Sequence, residues 1–102
     1  MLKVNTMLSY INMSIIKRSE KMPHIIIKIY PGRSEEQKEN LVKDIATAVS
    51  ENLSLDESTI SVAIEEVQKE KWAKEVYKKD IIDNHEKLYK KPGYKPKDSE
   101  LE

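Results

Sequence analysis

The stretch Met22-Pro23-His24-Ile25-Ile26-Ile27-Lys28-Ile29-Tyr30-Pro31-Gly32-Arg33 decides how the rest of the chain is read. A methionine-proline pair leads into a run dominated by β-branched isoleucine, which favours a strand over His24 to Tyr30. Pro23 sits at its edge, where a missing N–H costs nothing. Ile25, Ile27 and Ile29 fall on one face, and His24, Ile26, Lys28 and Tyr30 on the other. Apolar residues on both faces predict a strand covered on both sides, as in parallel sheets. Pro31-Gly32 then turns the chain.

Downstream, Ser34-Glu35-Glu36-Gln37 is a capping box with Ser34 as N-cap and Gln37 three residues on. The helix it opens carries Val42, Ile45, Ala46, Val49 and Leu53 along one stripe, and the spacing predicts an end near 52–54. After a polar connection over 55–58, Thr59 to Val67 predicts a second strand. Ile60, Val62 and Ile64 lie on one of its faces and Ser61, Ala63 and Glu65 on the other. A strand, a long helix and a second strand form a right-handed crossover with parallel strands. The predicted architecture is α/β: a single β-α-β unit with a C-terminal helix. Two strands do not make an independently stable sheet, so completion by homo-oligomerisation is expected.

The region 68–91 predicts a turn and a weaker second helix with Val76 or Tyr77, Ile81, His85 and Leu88 as its stripe. Lys91-Pro92-Gly93 stops it. Residues 97–102 read as a loose polar tail. The domain is expected over 22–96. Ahead of it, 1–21 reads as an N-terminal extension outside the mature domain. Its apolar residues are interrupted by Ser9, Asn12 and Ser14 and lack a small-x-small cleavage site, against a secretory signal. Arg18-Ser19-Glu20-Lys21 can be encoded by purine-rich codons resembling a ribosome-binding site before Met22. A genuine extra strand or arm is the alternative.

The totals narrow the function classes. The chain has 102 residues, 18 Lys plus Arg against 18 Asp plus Glu, and no cysteine. One small domain buries only about 60% of its unfolded surface, which favours a core shared between subunits. Zero net charge gives no electrostatic case for nucleic acid. The missing cysteines exclude disulfides and thiolate chemistry and are compatible with the cytoplasm. No stretch approaches the ~20 apolar residues needed to cross a membrane. His24 and His85 stand apart without clustered acids, so no metal site is expected.

Met22-Pro23-His24-Ile25 followed by Pro31-Gly32-Arg33-Ser34-Glu35-Glu36-Gln37-Lys38 resembles the 4-oxalocrotonate tautomerase family. The strand over 58–64, Trp72 and Lys90-Lys91-Pro92-Gly93-Tyr94 are most similar to its PptA-type, phenylpyruvate-tautomerase-like bacterial branch. The resemblance implies that the initiator methionine is removed and that the exposed Pro23 acts as general base and acid, with no cofactor. Independently of the resemblance, a free α-amino group titrates near pH ~8. An apolar pocket and a nearby cation lower that value towards neutrality, making the amine a usable base. A peptide bond to a preceding residue would make the same nitrogen an amide and no base. The alternative for Pro23 is a plain strand-edge proline.

The resemblance further implies that Arg33 grips a substrate carboxylate, a task suited to guanidinium; otherwise it is an exposed turn arginine. Trp72 matches an aromatic position near the active site, though a sole tryptophan is equally ordinary core. His24 either lines the pocket or is a partly buried, satisfied histidine. Lys28 replaces a histidine of the archetype and is expected to face outward; His85 is expected to pack. The archetype carries a second arginine where this chain has Ser61, which favours a monocarboxylate 2-oxo acid or its enol, such as phenylpyruvate, over a dicarboxylate. The implied assembly is a dimer, with a hexamer as the other family form. A hydratase or dehalogenase on the same scaffold is one alternative, and a non-catalytic assembly module with Pro23 blocked is another.

Overall fold

The computed structural model describes residues 22–102, and the expected N-terminal extension lies outside the described residues. Two strands, β1 (His24–Ile29) and β2 (Ser61–Glu66), pair in a two-stranded sheet. The Ser61 amide donates to the Pro23 carbonyl at 3.2 Å and the Val67 amide to the Ile29 carbonyl at 2.9 Å. Both bonds join residues separated by the same distance along the chain, a constant offset that only parallel strands give. In that register His24 stands directly opposite Ser61. The β-α-β reading is therefore correct, with each strand slightly shorter than the sequence suggests.

By internal contacts the described residues group into two units, 22–27 with 33–64 and 28–32 with 65–102. The first unit is dominated by helix α1 (Glu35–Leu53). The Gln37 amide donates to Ser34 Oγ at 3.1 Å and the Ser34 amide to Gln37 Oε1 at 3.1 Å, completing the capping box. Glu35 and Glu36 in the first turn complement the positive end of the helix dipole. Val42, Ile45, Ala46 and Val49 are half-buried along one stripe. The helix ends in Ser54, whose φ of 58° and ψ of 48° place it in the left-handed region. Leu55 then tucks back, its amide reaching the Ser50 carbonyl at 3.0 Å, and is 8% exposed. The expected polar connection thus hides a core leucine and a single 3₁₀ turn over Glu57–Thr59.

In the second unit, α2 (Lys69–Trp72) continues without a break into a π-helix over Ala73–Ile82. Its end shows the wide spacing directly, with the Asp83 amide bonded to the Lys78 carbonyl five residues back at 2.9 Å. Ala73 and Val76 are buried, while Tyr77, Asp80, Ile81 and Asn84 are half-buried. The inward stripe therefore passes through Asp80 and ends at Asn84. His85, expected to pack, is instead exposed in a 3₁₀ turn, because the helix stops before reaching it. The expected loose tail also forms a turn of helix, α3 (Asp98–Leu101), packed against the π-helical stretch. Its N-terminus is closed by the Lys97 amide donating to Glu100 at 2.8 Å.

The core is thin. Among the described residues the buried hydrophobics are Leu55, Ala73 and Val76, and none falls below 2% exposure. Ile26 is 50% and Tyr30 46% exposed on one face of β1, apolar area that a chain on its own leaves in water. A two-stranded sheet that leaves this apolar area exposed is consistent with completion by further copies. Among the described residues, no helix is long and apolar enough to cross a membrane.

Two backbone positions with positive φ predict stability changes of opposite sign. Gly32 at φ 120° has open space where a Cβ would go, so Gly32→Ala is penalised by backbone strain alone. Thermal unfolding should show a loss of about 1–2 kcal/mol. Ser54→Gly relieves the strain at the helix end and should gain up to about 1 kcal/mol. A gain for Gly32→Ala or a loss for Ser54→Gly would contradict the geometry.

Candidate active site

Pro23 is half-buried at the head of β1, and its carbonyl is held by the Ser61 amide. Its position follows from the strand pairing, since the first ladder bond of the sheet is the one made to Pro23. The preceding Met22 is 72% exposed. His24 follows on the face of β1 that also carries Ile26, Lys28 and Tyr30. Its Nδ1 lies 2.6 Å from Ser61 Oγ, so the expected hydrogen-bonded histidine is present, but exposed rather than partly buried. Ser61 thus contacts both residues of the Pro23-His24 pair, through its amide and its hydroxyl.

Arg33 follows the Pro31-Gly32 turn immediately before the Ser34 cap. Its side chain is exposed, and among the described residues it has neither a hydrogen bond nor an ion pair. A guanidinium left in that state keeps all its donors available for an anion. Pro23, His24 and Arg33 belong to one unit, and Trp72 belongs to the other.

Trp72 is half-buried within an aromatic group that the sequence reading did not assemble. Tyr30 meets it edge to face, with ring centroids 5.0 Å apart and planes at 90°. Its indole Nε1–H donates to the Tyr94 hydroxyl at 2.8 Å. Tyr94 in turn lies 5.4 Å from the Tyr77 ring. The expected stop at Lys91-Pro92-Gly93 is not where the helix ends, since the helical stretch already finishes at Ile82; the segment instead brings in Tyr94, which fixes the orientation of the tryptophan ring. Tyr30 could have been found from its place on the same strand face as His24. The distant pairing with Tyr94 left no periodic signal.

Lys28, expected to face outward, bonds Asp80 at 2.6 Å with both side chains partly exposed. The hydrogen bond to Asp80 raises the Lys28 pKa from its ordinary 10.5; burial opposes the rise, while the charges of Asp80, Glu65 and Glu75 add to it. Lys28 turns towards the second helical stretch because Asp80, half-buried on its inward stripe, offers a carboxylate there. Among the described residues, no three metal-ligating side chains cluster.

Two measurements check this geometry. Tyr94→Phe removes the indole's acceptor, so the emission of the sole tryptophan should shift; an unchanged spectrum would contradict the bond. Lys28→Met should cost about 1 kcal/mol at neutral pH, the scale of a partly exposed charge-assisted pair. Because the folded-state pKa of Lys28 is raised, the pair's contribution is complete below the unfolded value. It declines as pH rises through the folded one. The difference between wild type and variant should therefore persist through neutral pH and shrink as the solution becomes strongly alkaline.

Known proteins place this geometry in a family. A family model described as "Tautomerase enzyme" matches residues 23–80. A "Probable tautomerase" of Xylella fastidiosa (strain 9a5c) is 45% identical over 73 residues, 72% of this chain and 89% of that protein. "Tautomerase PptA" of Enterobacter sp. (strain 638) is 39% identical over 74 residues, 72% of this chain and 97% of that protein. Among solved structures, YwhB, titled a homologue of 4-oxalocrotonate tautomerase, has 42% sequence identity and a TM-score of 0.46. That likeness covers 47% of this chain and 79% of the YwhB chain. The chain belongs to the 4-oxalocrotonate tautomerase family, with PptA-type relatives, and is an isomerase of the tautomerase kind.

Proposed function

We propose that the protein interconverts the enol and keto forms of a monocarboxylate 2-oxo acid such as phenylpyruvate, without a cofactor, using Pro23 as an amino-terminal base and acid. The observation that carries this reading is that the matched family region begins at residue 23. Met22, the residue that must be lost, is 72% exposed, so nothing among the described residues covers it. The extension 1–21 is then absent, the domain spans 22–96 as translated, and removal of its initiator Met22 leaves Pro23 as the first residue of the mature protein. Its setting is the cytoplasm, and its working form is a homodimer that completes the sheet.

In this mechanism the secondary amine of Pro23, neutral before reaction, takes the hydroxyl proton of the enol. The electron pair of that O–H bond forms the ketone as the carbon–carbon double bond shifts. The resulting ammonium returns a proton to carbon 3 of the substrate. No net charge is gained or lost, so one group serves both steps. Arg33 pairs with the substrate carboxylate through its unengaged guanidinium and holds the reacting carbons at the amine. For Trp72, whose ring is held by Tyr94 and Tyr30, the family resemblance supports the role of an aromatic substrate-binding residue. His24 contributes a polar contact next to the reacting end.

Protein beginning at Pro23 should accelerate ketonisation of phenylenolpyruvate, and Pro23→Ala should lower kcat/KM by roughly a hundredfold or more. The rate should rise with pH through a midpoint below the ordinary amine value of about 8. Arg33→Ala should raise KM by roughly tenfold, and Arg33→Lys should restore little of it. Unaltered turnover in Pro23→Ala would refute the mechanism.

A further inference from the structure

We infer that Ser61 is a positioning residue that sets the tautomer and orientation of His24, so that the imidazole presents a single N–H donor beside Pro23. The inference rests on the reading of Pro23 as the reacting group for its purpose, but its geometry stands on the strand pairing. Parallel register sets Ser61 directly opposite His24, with both side chains on the same face of the sheet. Ser61 then engages the Pro23-His24 pair twice, its amide bonding the Pro23 carbonyl at 3.2 Å and its hydroxyl lying 2.6 Å from His24 Nδ1. One residue of β2 therefore fixes the backbone of one member of the pair and the side chain of the other.

A serine hydroxyl can donate or accept, and an imidazole nitrogen can do either according to tautomer. Among the described residues, the Ser61 hydroxyl and His24 Nδ1 are each other's side-chain partners, and we take the hydroxyl as the donor. Donation from Ser61 to Nδ1 requires Nδ1 to be unprotonated, which places the proton of the neutral ring on Nε2. No other hydrogen bond holds the ring among the described residues, so Nε2–H remains available. A neutral donor there suits an uncharged oxygen, a carbonyl or hydroxyl, and offers a second carboxylate much less than a cation would. The substrate class that follows is a 2-oxo acid with one carboxylate and an otherwise neutral body.

Nitrogen-15 NMR of the intact chain beginning at Pro23 tests the pairing without turnover. The chain has two histidines, so His85→Gln assigns the signals of His24. The expected spectrum shows the Nε2–H tautomer for His24, a mixture of tautomers in Ser61→Ala, and recovery in Ser61→Thr. With phenylpyruvate, Ser61→Ala and His24→Ala should each raise KM by roughly fivefold with kcat little changed. The double variant should be no worse than either single one, as for residues acting as one unit. An Nδ1–H tautomer in wild type, or one unaffected by Ser61→Ala, would overturn the inference, as would multiplicative effects in the double variant. Failure of the proposed function reads differently: turnover is absent in every variant, while the tautomer still responds to Ser61.

Discussion

The parallel pairing of β1 with β2 is the constraint on which the other features depend. Two amide bonds define it, from Ser61 to Pro23 and from Val67 to Ile29, at the two ends of the ladder. The long helix between the strands makes that direction obligatory, because a crossover of this length returns the chain to the same end of the sheet. Once the direction is fixed, so is the register, and with it every cross-strand neighbour. Pro23 is held at the head of the ladder, His24 meets Ser61, and Lys28 and Tyr30 share the face that His24 occupies. A slip of one residue would turn that face over and separate all of these partners.

The pairing is also all the sheet this chain makes by itself. Two strands, a thin core and Ile26 and Tyr30 left about half exposed describe a chain whose burial is incomplete. The remaining elements compensate locally. Capping at Ser34 satisfies the first turn of α1, Leu55 folds under its last turn, and Asp80 is neutralised by Lys28. The aromatic group around Trp72 adds rigid packing, with the indole N–H satisfied by Tyr94. These interactions order the individual units, while the apolar area left on β1 gives copies of the chain a reason to associate.

Much of this was legible from residues. The isoleucine run and the Ser34–Gln37 box name the first strand and the start of α1 because both are local signals. The helix end near Leu53 was legible for the same reason, since its stripe stops there. What escaped reading was set by partners distant in sequence. Asp80 interrupts an apolar stripe and looks like an outward position until Lys28 is seen to pair with it. Tyr94 looks like part of a stop signal until Trp72 is seen to donate to it. The π-helical winding of Ala73–Ile82 leaves the same spacing as an ordinary amphipathic helix, so periodicity could not reveal it. At the site, the motif named Pro23, Arg33 and Trp72. The role of Ser61 depended on register, which becomes visible only when both strands are in place.

Pro23 acts as a base only if no peptide bond precedes it, since an amide nitrogen has no available lone pair for a proton. The account therefore turns on where the mature chain begins. Intact-mass spectrometry of the protein produced from its own gene measures this directly. The account predicts one species whose mass corresponds to a chain starting at Pro23 with an unmodified amine. A stable species retaining Met22 or any earlier residue would contradict it.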